Sequence, residues 1–573
     1  MRIEKINPAL LNALRAVERD QTRVALHPMG AQPMGDVQPM GAQPERTRQS
    51  HVLTVMRTDP QSRLANAVAR VGGALHVDEG PIRTATVPLD RIAELAEEGA
   101  IHRIRLSRRL RPTVTEAARL SQLETYLRRP AVRDCSNVLI GIVDSGLDGS
   151  HPAFAGRVID YWDQKSARRG NSGVRYGALI HPAKGRDQLG HGTHVAGIAA
   201  GKDAQYSGIA PTAKLAIVRT TFQDAHIQDG VRHIFEVAKG LDLPAVVNLS
   251  LGGHADPHDG TDDLDVLLDA VSGPGRIVVA AAGNEGTDSI HTMAILKNGD
   301  SIDLGFKVPS GLRFSALNLW YTGDGDVEVS LSTPSGVSTP FQETRPTEPD
   351  AAYALGEAGT ARVSTPGPHP ANQDRQIYVE IDNDGKPIRT GRWFLHLKCS
   401  GGTATIHGWT WDLDESREVT WTTPVNSHLI GSPGTAGSVI TVAAYTSRRS
   451  WTSEDGNGWS LRYAQDRLAP FSSPGPLRNG KEKPDVAAGG AMVISARSKL
   501  GEFESSYLVD ADHAAMMGTS MACPFVTGLV ATLLAAHPTL TPQQARDILK
   551  DSSGRGRYES ADGWGLVLGS AIP

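Results

Sequence analysis

The chain has 573 residues, with 58 Lys and Arg against 63 Asp and Glu and a formal net charge of -5, a balance that excludes a strongly basic surface for nucleic acid or anionic membrane. At roughly 150 residues per domain the length allows about four units, and 39% hydrophobic residues suffice for large cores, so a single small scaffold is excluded. Gly 60 and Pro 35 against 5% aromatic residues favour a turn-rich α/β or α+β chain over a helical bundle.

The N-terminal MRIEKINPALLNALRAVERDQ alternates charged and apolar residues without an apolar h-region, and no later stretch is expected to have the 18 apolar residues of a membrane span. Cys135, Cys399 and Cys523 lie too far apart for a CxxC pair and are too few for a disulfide framework, which fits a reducing compartment. A soluble, cytoplasmic protein is expected. Residues 27–44, HPMGAQPMGDVQPMGAQP, repeat Pro-Met-Gly with almost no large apolar side chains, and residues 1–50 are read as an extension and linker.

Residues 51–112 alternate short units in the order β, α, β, β, α, β. Leu64, Val68 and Val71 fall on one helical face, and Ile92, Leu95 and Ala96 share another before Gly99. This order predicts a compact ferredoxin-like α+β module. Its last strand carries Arg103, Arg105, Arg108, Arg109 and Arg111, read as a solvated strand face.

From residue 113 to 286 short apolar runs alternate with helical patterns: VLIGIVD (138–144), KLAIVRT (214–220), AVVNLSLGG (245–253) and RIVVAAAGN (276–284). Such runs suit strands buried on both faces, so a doubly wound, mostly parallel α/β sheet is predicted. Between residues 287 and 428 the rhythm changes to alternating segments such as DVEVSLST, RQIYVEID and RWFLHLKCS, an inserted antiparallel β-sandwich of jelly-roll type. Trp320, Trp393, Trp409, Trp411 and Trp421 in it are read as core packing. The α/β pattern resumes at SVITVAAY (438–445), making 429–573 the second part of the interrupted domain.

Three segments carry candidate chemistry. Asp144 ends an apolar strand in IGIVDSGLD, His191 opens a helix in GHGTHVAGIAAG, and Ser520 opens another in MMGTSMACPFVTGLVATLLAA. A hydroxyl nucleophile needs an imidazole to take its proton and a carboxylate to hold the imidazole's tautomer, and strand ends of α/β sheets are where such groups gather. The chain order Asp, His, Ser separates this arrangement from two other triad orders.

These strings, with SGIAP, VVNLSLGG, AAAGNEG, FSSPGP, KPDVAAGG and GTSMACP, resemble the subtilases, the subtilisin-like serine proteases. YWDQ, HDGTDD, His291 and the β-rich insert are similar to the Csp-like subgroup. The resemblance implies an endopeptidase with Ser520 as nucleophile, His191 as general base and Asp144 as orienting carboxylate. It implies an oxyanion hole of Asn284 with the Ser520 backbone N–H. Ser250, Leu251 and Gly252 are implied as the strand that binds extended peptide, and Ala281, Ala282 and Gly283 as the opposite wall of the P1 pocket. Glu285 at the rim keeps two readings, acceptance of basic P1 groups or a solvated surface acid.

Residues 51–112 are then implied as a prodomain, an intramolecular inhibitor and chaperone, with self-cleavage between about Leu106 and Arg133. No cofactor or metal is expected: GIAAGKDAQYSGIAP leaves little room for the calcium loop of extracellular subtilases, and HADPHDGTDD is read as a polar loop capping the next helix. Protein or peptide substrates are the expected partners, with no nucleic acid or membrane and an open oligomeric state. One rival reading is a binding or regulatory protein whose cleft the prodomain or insert blocks. Another, an esterase or carbohydrate enzyme, lacks a paired acid cluster.

Overall fold

The computed structural model describes residues 6, 10, 51–107, 111–112, 134–167, 174–344, 350–411, 418–569 and 572. The Pro-Met-Gly stretch, Arg108, Arg109 and the connector from 113 to 133 lie outside the described residues. The chain divides into two compact units, 1–109 with 289–425 and 110–288 with 426–573.

In the first unit, His51–Thr58 is flanked by Ile82–Pro88 and Ile101–Leu106, with Ala74–Leu75 outside Ile82–Pro88, and every pair is antiparallel. The helix Ala65–Arg70 turns the predicted face inward: Leu64, Val68 and Val71 join Met56, Ile92, Leu95 and Ile104 in one core. The second predicted helix is shorter than its pattern, a 3-10 turn at Leu89–Arg91 running into Ile92–Leu95. Neither segment has a side-chain cap, so its apolar contacts must hold it.

The segment 289–425 forms two antiparallel sheets of six and five strands. Phe306, Trp393 and Leu395 of the smaller sheet share a core with Leu317, Leu319 and Val379 of the larger. Trp320, Trp393, Trp409 and Trp421 are buried and Trp411 is half-buried, as core packing requires.

The second unit is built on a nine-stranded sheet. Its centre runs Val486–Ala496, Ile440–Thr446, Arg276–Ala281, Ala245–Leu249, Leu139–Asp144, Lys214–Arg219, Val158–Asp163, all parallel, and His513–Met517 and Ala178–Leu179 close the two edges antiparallel. Alternation along the strands divides the core: Ile140, Ile142, Val246 and Val279 face the helices His191–Ala200 and Thr519–Ala536. Leu139, Val143, Val247 and Val278 face Asp224–Gly240 and Asp263–Val271.

Two expectations need correction: Arg105, read as part of a solvated strand face, is buried, and one helix meets the test for a membrane span. Thr519–Ala536 is long and apolar enough to cross a membrane by length and composition, yet it is almost wholly buried in the unit's core. Contact on all sides by sheet and neighbouring helix, rather than lipid, accounts for a helix apolar all round.

Candidate active site

The carboxyl ends of the central strands bring the predicted residues to one edge. Asp144 is the last residue of Leu139–Asp144, Ser250 follows Ala245–Leu249, and Ala282 to Asn284 follow Arg276–Ala281. The helices His191–Ala200 and Thr519–Ala536, which carry His191 and Ser520 in their first turns, pack against each other. Gly192 permits a close approach: a Cβ there would stand 2.2 Å from the Gly146 carbonyl oxygen and 3.1 Å from Asp144 Cβ.

His191 Nδ1 lies 2.8 Å from Asp144 Oδ1 and 3.0 Å from Oδ2, and both side chains are fully buried. The Ser145 N–H donates to Asp144 Oδ1 at 2.6 Å. An imidazole held this way at Nδ1 is set to move a proton at Nε2. His194, one turn on, differs. Burial pushes its pKa down to about 3, and its Nε2 stands 3.2 and 3.1 Å from the carbonyl oxygens of Val493 and Ala514.

Ser520 is tied to the predicted peptide-binding strand in both directions. Its Oγ donates to the Ser250 carbonyl at 3.3 Å, and the Ser250 hydroxyl donates to the Ser520 carbonyl at 2.8 Å. The second bond has a sequence cause. Pro524 lies inside the helix and has no N–H for the carbonyl four residues earlier, so the Ser250 hydroxyl satisfies it. Behind them Asn248 donates to Ser250 Oγ at 2.9 Å and accepts from Thr527 Oγ1 at 3.0 Å. Cys523 joins this network, 3.1 Å from Asn248 Oδ1, and burial pushes its thiol up to about 12, which makes it inert packing.

Asn284 is oriented by a residue the sequence reading passed over. The Thr519 N–H donates to Asn284 Oδ1 at 2.9 Å, and the Thr519 hydroxyl lies 3.0 Å from the same oxygen. Gly283, at φ +113, leaves space for this cluster, since a Cβ would meet Glu285 Oε2 at 2.5 Å and Ser473 Oγ at 2.7 Å. Glu285 is no simple surface acid. Its side chain is 23% exposed, accepts from Ser473 Oγ at 2.8 Å, and stands 3.5 Å from His254 Nε2. Burial pulls its carboxyl up, but the His254 contact and charge and the Ser473 bond outweigh that and hold it below the ordinary value.

Leu251–Gly252 is extended, and the chain's own Arg111–Pro112 pairs with it antiparallel, Pro112 opposite Leu251 and Arg111 opposite Gly252. In the HADPHDGTDD segment Asp262 caps the helix Asp263–Val271 by accepting from the Leu264 N–H at 3.0 Å. Asp265 accepts from Ser432 and Thr435, and burial, with the charges of Asp262 and Asp256, raises its carboxyl well above the ordinary range.

The profile of the subtilase family matches residues 135–348 and 417–565. The chain is 36% identical over 143 residues to serine protease AprX of Bacillus subtilis, covering 24% of this chain and 30% of that protein. It is 32% identical over 181 residues to thermitase of Thermoactinomyces vulgaris, covering 30% of this chain and 56% of that one. These alignments span less than two thirds of either relative's length. The fold is similar to that of the Clostridium perfringens CspB protease, with a TM-score of 0.65 at 22% identity over 79% of this chain and 95% of that one. With the profile matching more than half of the chain and spanning all three candidate triad segments, the chain belongs to the subtilase family.

Proposed function

We propose that the chain is a subtilisin-like serine endopeptidase that hydrolyses protein or peptide substrates through an acyl-enzyme. The observation that carries this reading is the buried Asp144–His191 pair, at 2.8 Å, at the sheet edge that Ser520 shares. In the proposed reaction Ser520 Oγ attacks the scissile carbonyl carbon while His191 Nε2 takes its proton. Asp144, bonded at Nδ1, stabilises the resulting imidazolium. The Asn284 amide and the Ser520 N–H donate to the tetrahedral oxyanion, and the helix start adds its dipole. Collapse returns the proton to the leaving amine; water then repeats the sequence on the ester and releases Ser520. Extended substrate adds as a strand to Ser250–Gly252, with Ala281–Gly283 as the facing wall of the P1 pocket.

We read residues 51–112 as a ferredoxin-like prodomain and 287–428 as an inserted β-sandwich. The four-stranded antiparallel sheet with its two helices supports the first, and two antiparallel sheets around one core support the second. Pairing of Arg111–Pro112 with Leu251–Gly252 supports a tail that occupies the cleft before self-cleavage. The same pairing favours the rival reading, a binding protein with a blocked cleft. A fluorophosphonate probe separates them. Labelling of the wild type, lost in Ser520→Ala, is expected of the protease; an unlabelled, fully processed wild type would support the binder.

A further inference from the structure

We infer that Asp187 is a positioning residue that locks the Asp144 loop to the start of the His191 helix, and so sets the geometry of the proposed proton transfer. The inference rests on the protease reading above. Asp187 is fully buried. Its Oδ1 accepts from the Ser145 hydroxyl and from the Gly190 N–H, both at 2.8 Å, and its Oδ2 accepts from the Thr193 N–H at 2.8 Å and the Thr193 hydroxyl at 2.7 Å.

These bonds reach both members of the pair. Gly190 and Thr193 bracket His191, and their N–H groups belong to the helix start, where intrahelical acceptors are missing. Gly190 itself has no side chain to cap the helix, so Asp187 supplies that capping from three residues upstream. On the other side, Ser145 donates its N–H to Asp144 Oδ1, and its hydroxyl accepts from the Gly192 N–H at 2.9 Å while donating to Asp187. Thr193 Oγ1 accepts from the Asp148 N–H at 2.9 Å, a second tie to the same loop. One carboxylate thereby fixes the backbone on both sides of the 2.8 Å Asp144–His191 contact.

All four donors aimed at Asp187 are N–H or O–H groups, two per oxygen. Asparagine has nearly the same shape, but whichever way its amide is turned the NH2 faces a backbone N–H and a hydroxyl, and one buried helix-start N–H loses its acceptor. Positioning losses of this kind appear in the chemical step more than in binding.

The test compares wild type with Asp187→Asn, both expressed as the full chain and allowed to process, counting competent sites by fluorophosphonate titration. The expected result is a 10- to 100-fold lower kcat per titrated site, with KM changed less than threefold. A residue that only stabilises the fold would lower the number of titrated sites or the Tm and leave kcat per site as in the wild type; that result would overturn the inference. Should Asp187→Asn not fold, Ser145→Ala decides. A three- to tenfold lower kcat per site is expected, and an unchanged value overturns the inference. Failure of the protease reading is distinguishable, because the processed wild type itself would then neither label nor turn over substrate.

Discussion

The hydroxyl of Ser250 donates at 2.8 Å to the Ser520 carbonyl, the acceptor that Pro524 leaves without its helical partner. Ser250→Ala would leave that carbonyl and the Asn248 amide without this fully buried partner. The expected cost is about 1–3 kcal/mol, seen as a lower Tm in differential scanning calorimetry. Because that carbonyl belongs to the proposed nucleophile, kcat should fall as well. An unchanged Tm and kcat would show that Ser520 does not depend on this bond.

Asn284 and Thr519 should act as one unit. Asn284→Ala removes the proposed oxyanion donor and is expected to lower kcat about 10²–10³-fold with little change in KM, a magnitude taken over from subtilisin rather than obtained from this chain. Thr519→Val keeps the N–H bond to Asn284 Oδ1 but removes the hydroxyl at 3.0 Å, so its effect should be smaller. In the double variant the two losses should not add. Additive losses would mean that Thr519 acts independently of Asn284.

The two halves of this site differed in how readable they were. Asp144, His191 and Ser520 stand out because a strand end and two glycine-flanked helix starts repeat family strings around them. The strands at Leu139–Asp144 and Arg276–Ala281 were legible because parallel strands covered on both faces are continuously apolar. Asp187 was not, since a carboxylate before a helix reads as an ordinary surface cap until its burial is seen. Nor was the Glu285–His254 contact, which joins residues from two loops with no periodicity to align them. Leu89–Leu95 read as a longer helix because periodicity reports a face and not the caps that set its length.

Acid should destabilise the second unit through His194. Burial holds its folded pKa at about 3, below the ordinary 6.5, so the unfolded chain takes up a proton that the folded chain refuses. Its contribution is therefore complete above pH 6.5 and is lost as pH falls toward 3, at roughly 1.4 kcal/mol per pH unit. Thermal melts between pH 7 and 5 should show a steeper fall in Tm for the wild type than for His194→Gln. Parallel curves would remove His194 as the cause.

Self-cleavage is expected shortly after Pro112, within the window from Leu106 to Arg133. The backbone pairing of Arg111–Pro112 with Leu251–Gly252 leads the chain toward Ser250, whose carbonyl accepts from Ser520 Oγ. N-terminal sequencing and intact mass should find a new terminus there in the wild type and only the full-length chain in Ser520→Ala. A terminus at the same place in both proteins would assign the cut to another protease.

Val279 pairs in parallel with Ile440, although residues 289–425 intervene. Closing a flexible loop of that length costs about 4 kcal/mol, and the cost falls with the logarithm of the number of free residues. If the intervening segment has already gathered around Phe306, Leu317 and Trp393, the two strand ends meet across a much shorter effective tether. On that argument the two sheets of residues 289–425 would close first, and the sheet edge that carries Asn284 would be completed afterwards.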